Sequence, residues 1–169
     1  MFFISTPYHH TKPTNVLYGV FIILILAASI AVFSIFMKGE RKPNDIPITF
    51  PAGVVYMGGA VLSVDVANTP EARIRGLSGR KTLPAGRGML FIFDSTARHG
   101  MWMKEMNFPI DIIWVGENFR IVSIMKHATP QSYPQVFRPS QGARYVIEVP
   151  SGFSAEHKIK LDDPVSFEL

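Results

Sequence analysis

The chain contains no cysteine. That absence excludes disulfides, thiolate catalysis, iron–sulfur clusters and cysteine-ligated zinc. It leaves the compartment open, because a thiol-free domain folds on either side of a membrane. Metal-ligand spacing is missing as well. His99, His127 and His157 stand far apart, and His9-His10 lie in a polar lead. No Gly-x-Ser-x-Gly elbow, phosphate loop or dinucleotide fingerprint occurs. Ser78 sits in Gly76-Leu77-Ser78-Gly79, which has the wrong spacing for the elbow. Helix-turn-helix, zinc-finger and aromatic-plus-basic RNA signatures are missing too, as is any internal repeat. Charge of one sign is scarce. The net charge is +4, and from Pro51 onward 13 Lys and Arg face 11 Asp and Glu. No cofactor, metal or nucleic acid is expected.

One stretch is free of charge for a different reason. Val16–Met37 reads VLYGVFIILILAASIAVFSIFM, with 14 of its 22 positions Val, Ile, Leu or Phe. A helix rising about 1.5 Å per residue carries such a run across a hydrocarbon core of about 30 Å. The apolar run continues through Ile35–Met37, past the Ala27-Ala28-Ser29 segment where a signal peptide would be cut. The reading is therefore an uncleaved, single-pass anchor in the cell (inner) membrane, with the bilayer as its first partner. Orientation pulls two ways. Lys38, Arg41 and Lys42 follow the span and only Lys12 precedes it, which favours a cytoplasmic C-terminal side. A short tail before a folded domain favours export. Ala27, Ala31 and Ser34 share one helical stripe, where the backbone of another integral membrane protein can approach closely.

The remaining chain divides into a polar tail, 1–15, a linker, 38–53, and a domain, 54–169. Pro43, Pro47 and Pro51 keep the linker extended. After it the pattern is mostly β. Val54–Met57 and Ala60–Val66 flank Gly58-Gly59, a hairpin signal. Thr69-Pro70-Glu71 starts a helix, with a Thr cap, a first-turn Pro and an acid, and Gly76 and Gly79 stop it. Gly88–Phe93, Gly100–Met103, Ile110–Val115, Arg120–Met125, Arg144–Val149 and Val165–Leu169 read as strands, with Gly116-Glu117-Asn118 a turn. Ser151–Lys158 reads as a second short helix. The expected fold is mainly β: a compact sandwich or barrel-like domain with one or two short helices, preceded by a single transmembrane helix.

Arg75-Gly76-Leu77-Ser78-Gly79-Arg80 heads an ordered set of motifs. Leu83-Pro84, Gly88-Met89-Leu90-Phe91, Trp102-Met103-Lys104, Pro109-Ile110-Asp111 and Arg144-Tyr145-Val146-Ile147-Glu148 follow it. Together, from Ala60 to Val165, they resemble the domain of unknown function 192 family, small secreted or membrane-tethered prokaryotic domains. The resemblance implies a compact, mainly β fold behind an export signal or anchor, hence a periplasmic or extracellular domain. It implies no activity. Leu161-Asp162-Asp163-Pro164 departs from the Gly-Asp turn usual there.

Read physically, Arg73, Arg75, Arg80, Lys81, Arg87 and Arg98 fall within 26 residues whose only acid is Asp94. Converging guanidiniums suit phosphate, carboxylate or acidic glycan. Trp102 and Lys104 alternate onto one face of a strand, where an indole stacks a sugar. Asp65, Asp111 and Glu148 lie inside apolar strands, where a carboxylate is costly unless paired. Arg75, Arg80, Trp102, Lys104, Asp111 and Glu148 are thus the candidate ligand-binding set. A partly buried ionic network of Arg75, Arg80, Asp111 and Glu148 is the structural expectation.

Three functions follow. The first is a non-enzymatic accessory or structural subunit of a larger membrane complex, docked through the Ala27, Ala31, Ser34 stripe. The second is a tethered binding module for an anionic or glycan ligand. The third is a hydrolase using paired carboxylates. Of these, only the anchor is checked by fractionation alone. Sodium carbonate at high pH should leave the protein in the membrane pellet, and its release would refute an integral span.

Overall fold

The computed structural model describes residues 49–169, together with Ile25, Leu26, Ala28 and Ser29 of the apolar run, which are helical. The rest of the expected span lies outside the described residues, with its Ala27, Ala31 and Ser34 stripe, the tail and the linker up to residue 48. Among the described residues no helix is long and apolar enough to cross a membrane. The chain divides into two compact units, Met1–Pro47 and Ile48–Leu169. The second carries the fold.

It is mainly β. The strands are β1 (Ala52–Met57), β2 (Ala60–Ala67), β3 (Arg87–Ala97), β4 (Met101–Trp102), β5 (Ile110–Val115), β6 (Ile121–Ala128), β7 (Val136–Phe137), β8 (Ala143–Pro150) and β9 (Val165–Glu168). Two short helices accompany them, α1 (Pro70–Arg75) and α2 (Phe153–Glu156). Seven strands form one sheet in the order β6-β5-β8-β3-β2-β1-β9, and β4 pairs with β7 apart from it.

Local chemistry sets most of these elements. Gly58 and Gly59, at φ 56° and 76°, close the two-residue β1–β2 turn. Side chains rarely adopt that conformation, so the paired glycines fix the register Met57↔Ala60. In α1 the Thr69 hydroxyl accepts a hydrogen bond from the Ala72 amide at 3.2 Å. The helix ends at Gly76, at φ 48° and ψ −135°, where an added Cβ would stand 3.3 Å from the Phe91 ring. The β2–α1–β3 segment is the one parallel crossover of the sheet, and it lays α1 beside the strand ends.

The sheet curls into a half-barrel. At one end its outer strands meet: Arg120 bridges Pro164, the Ile121 amide donates to the Asp163 carbonyl at 3.1 Å, and Val165 donates to Phe119 at 2.9 Å. Phe119, Tyr145 and Phe167 stack across that seam, with centroids 5.0–5.5 Å apart. Of the two expected forms, the barrel-like one is realised, in an incompletely closed version, and the sandwich is not.

Both faces are covered. Leu62, Val64, Leu90, Ile113, Val115, Ile147 and Val149 pack inside the curl. Met89, Phe91, Ile112, Trp114 and Val146 face outward under α1 and the segments around β4 and β7. Alternation along each strand produces this division. It explains why all six residues of β5 are buried.

The boundaries differ from expectation at several strands: β6 runs to Ala128, past the expected Met125, and β7 is not among the expected strands. β1 begins at Ala52, inside the expected linker, because Ala52 and Gly53 pair with Asp65 and Val64, and Pro51 accepts from the Val66 amide at 2.8 Å. β3 continues to Ala97, beyond the Phe93 end read from the apolar run.

Asp111 anchors the inner face at the end of β5. It is wholly buried, and its carboxylate accepts from the backbone amides of His127 (2.9 Å), Gly152 (3.2 Å) and Ser154 (2.9 Å). Burial alone would raise its pKa; the amide donors outweigh that and hold it below the ordinary carboxylate value. The stability this carboxylate contributes is therefore present above its unfolded pKa and is lost as pH falls through the depressed folded value. Asp111→Ala strands three amides and should cost at least about 3 kcal/mol in denaturant unfolding at neutral pH. A loss under about 1 kcal/mol would mean that the anchor is dispensable.

Candidate functional site

A pocket of about 290 Å³ opens on the outer face of the sheet. One wall is α1 and the turn after it. Pro70, Arg73 and Ile74, at i, i+3 and i+4 of the helix, line it, together with Arg75 and, in the turn, Leu77. Strand β3 supplies Phe91 and Phe93, two residues apart and so on the same side. Gly100, Met101, Trp102 and Met106 form the opposite wall. Trp102 is 43% exposed at the rim, next to the exposed Ile74.

Glu148 is the acid of this pocket. It lies on β8, between Met89 of β3 and Ile112 of β5, and only 4% of its surface is exposed. No hydrogen bond or ion pair among the described residues engages its carboxyl. Burial pushes its pKa up to about 8, against the opposing pull of the Arg80 charge. At neutral pH the group is held mainly as a neutral acid, able to donate a hydrogen bond into an apolar space.

The cations are distributed differently from expectation. Arg80 pairs with Asp65 at 2.7 Å and lies over the Phe50 ring; Arg87 binds the other oxygen of Asp65 at 3.0 Å. Arg73 donates to the Ile92 carbonyl at 2.7 Å, reaches Asp94 at 3.3 Å, and lies 5.3 Å from the centre of the Phe93 ring, which also stacks with His99. Arg98 donates to Pro139. The arginine run therefore does not converge on one anion. Arg75 lines the pocket, is exposed, and has no partner among the described residues.

The expected ionic network of Arg75, Arg80, Asp111 and Glu148 does not form. Asp111 and Glu148 sit on adjacent strands, but alternation sends them to opposite faces, Asp111 to backbone amides and Glu148 to the pocket. Lys104 is also outside the lining. Strand β4 ends at Trp102 and the chain turns, leaving the ammonium 3.9 Å from Glu105 while the Lys104 carbonyl accepts from Ser78 Oγ at 2.8 Å. Of the candidate set, the structure gathers Arg75, Trp102 and Glu148 in one pocket, with Arg80 acting on Glu148 by charge. Sequence reasoning named Arg73 only as one cation of the arginine run, and missed Phe91, Phe93 and Met106 as lining residues. The i, i+3, i+4 spacing of Pro70, Arg73 and Ile74 was the available signal. Among the described residues no cluster of three or more His, Asp or Glu is arranged to hold a metal.

Fold and site thus define a small, curled, mainly β domain with one buried acid in an apolar pocket. The chain belongs to the DUF192 family, described as "Uncharacterized ACR", whose pattern it matches over residues 54–167. A crystal structure from Sinorhizobium meliloti 1021, of a protein called a "putative transcription regulator", is similar at a TM-score of 0.67 and 25% identity, covering 72% of this chain and 97% of that one. A protein of unknown function from Novosphingobium aromaticivorans DSM 12444 is similar at 0.64 and 25%, covering 76% and 99%. No curated protein matches.

The raised Glu148 pKa has a sign that can be measured. The folded state keeps a proton that the unfolded state releases near pH 4.5, so this group lowers stability as pH rises from there to about 8. Glu148→Gln should remove that slope and raise the melting temperature at pH 8 relative to wild type. Parallel melting-versus-pH curves for the two proteins would contradict the assignment.

Proposed function

We propose that this protein is a membrane-tethered binding module, non-enzymatic, whose soluble domain takes a small ligand in the pocket over Glu148. The observation that carries this reading is a carboxyl that is almost fully buried, unpartnered among the described residues and open to an apolar pocket of about 290 Å³. A buried polar group without a partner costs free energy in the empty domain, and a ligand that meets it recovers that cost. Anchoring through Val16–Met37 in the inner membrane and display of the domain on the extracytoplasmic side belong to the proposal.

Carboxylate-based hydrolysis receives less support. It calls for two acids flanking one bond, and Glu148 is the only acid lining the pocket. An accessory subunit docked through Ala27, Ala31 and Ser34 depends on residues outside those described. The regulator description attached to the S. meliloti protein gains nothing here from charge, which is 13 against 11 from Pro51 onward.

A fragment library screened against the full chain in detergent tests the reading. Hits should weaken by about tenfold or more in Trp102→Ala, a loss of roughly 1.4 kcal/mol. Truncating this half-exposed rim residue should leave the melting temperature nearly unchanged. Hits that bind Trp102→Ala as tightly as wild type would place the ligand elsewhere.

A further inference from the structure

On the reading that this pocket is the binding site, we propose that its ligand is a small amphipathic carboxylate. Its anionic group lies at the Arg75 rim, its apolar body fills the pocket, and a hydrogen-bond acceptor meets the Glu148 carboxyl.

The body follows from the walls. Leu77, Phe91, Met101 and Met106 are apolar, and the one hydroxyl, Ser78 Oγ, already donates to Lys104. A hydroxyl-rich sugar would leave most of its polar groups unmet there, each at a cost. A planar or aliphatic body of fragment size leaves none.

The anion follows from the charges. Arg73 is engaged by Asp94 and by the carbonyls of Asn68 and Ile92, and Arg80 by Asp65. Arg75 remains free among the described residues, on the pocket wall. A guanidinium with unused donors is suited to a carboxylate, which it grips with two parallel hydrogen bonds. An organic cation fits poorly. It would meet this guanidinium, and the Phe93 ring that could cradle it is already engaged by Arg73 and by the stacked His99.

The acceptor follows from the acid. A neutral carboxyl offers one O–H donor into the pocket, whereas its ionised form offers only acceptors and repels an anion. The charged and titratable groups around it are Arg73 and Arg75 on α1, Arg80 and its partner Asp65 on β2, and His99 against Phe93. The arginines keep their charge throughout. Binding should therefore be steady from above the ligand carboxylate's own pKa of about 4 up to pH about 8, where Glu148 holds its proton, and fall by up to about tenfold per pH unit beyond that.

Three matched probes test this on the full chain in detergent micelles, followed by amide and indole NMR shifts: 4-acetylbenzoate, neutral 4-acetylbenzamide and cationic 4-acetylbenzylamine. The benzoate should shift the Leu77 and Gly100 amides and the Trp102 indole, and bind more tightly than the other two. Arg75→Gln should weaken it by about tenfold or more while leaving the benzamide unchanged. Glu148→Gln, whose amide still donates, should keep benzoate binding but lose its decline above pH 8. If the benzylamine binds this pocket best, or Arg75→Gln is without effect, the ligand class is wrong and the site stands. If none of the probes moves a pocket resonance, the inference is overturned, and the fragment screen then decides the fate of the site.

Discussion

Two-sided burial of one curled sheet is the constraint on which this domain depends. Each strand residue points to one face or the other, and neither face is wet near the centre. A polar side chain at the middle of β5 or β8 is therefore largely cut off from bulk water. The two central acids answer that constraint in opposite ways. Asp111 keeps its charge because three backbone amides surround it. Glu148 has no such donors and gives up its charge instead. One arrangement ties the end of β6 and the start of α2 to β5. The other leaves chemistry facing an open space.

That contrast separates structural from functional acidity in this fold. Asp111 is saturated, so nothing is gained by bringing another group to it. Glu148 is unsaturated, and the same desolvation that holds its proton makes a suitably shaped partner worth binding. The paired Arg80 and Arg87 form a similar saturated set with Asp65. Arg75 at the rim and Glu148 at the floor are left with unused hydrogen-bonding capacity, one on each side of an apolar interior.

Much of this was legible in the sequence. The Gly58-Gly59 hairpin, the Thr69-Pro70-Glu71 helix start and the β-branched strands are local signals, and they appear where the residues put them. Two-residue strands such as β7 carry no period to detect. The extension of β1 back to Ala52 is decided by a partner strand, not by the residues themselves. The ionic network failed for the same reason. Opposite charges within one chain suggest pairing, but whether Asp111 and Glu148 share a side depends on which faces of β5 and β8 are aligned, a property of the sheet. The short stripe of Pro70, Arg73 and Ile74 was readable in principle. It spans too few turns to stand out without knowing that α1 lies over Phe91.

The placing of β1 has a mechanical consequence. This is the first strand of the domain, yet it is not at the sheet margin: β2 pairs with it on one side and β9 on the other. A pull on the chain just before β1 therefore loads two rows of backbone hydrogen bonds in shear, rather than peeling an outer strand away bond by bond. The last strand of the domain clamps the first. A domain built this way resists being drawn out from its N-terminal side.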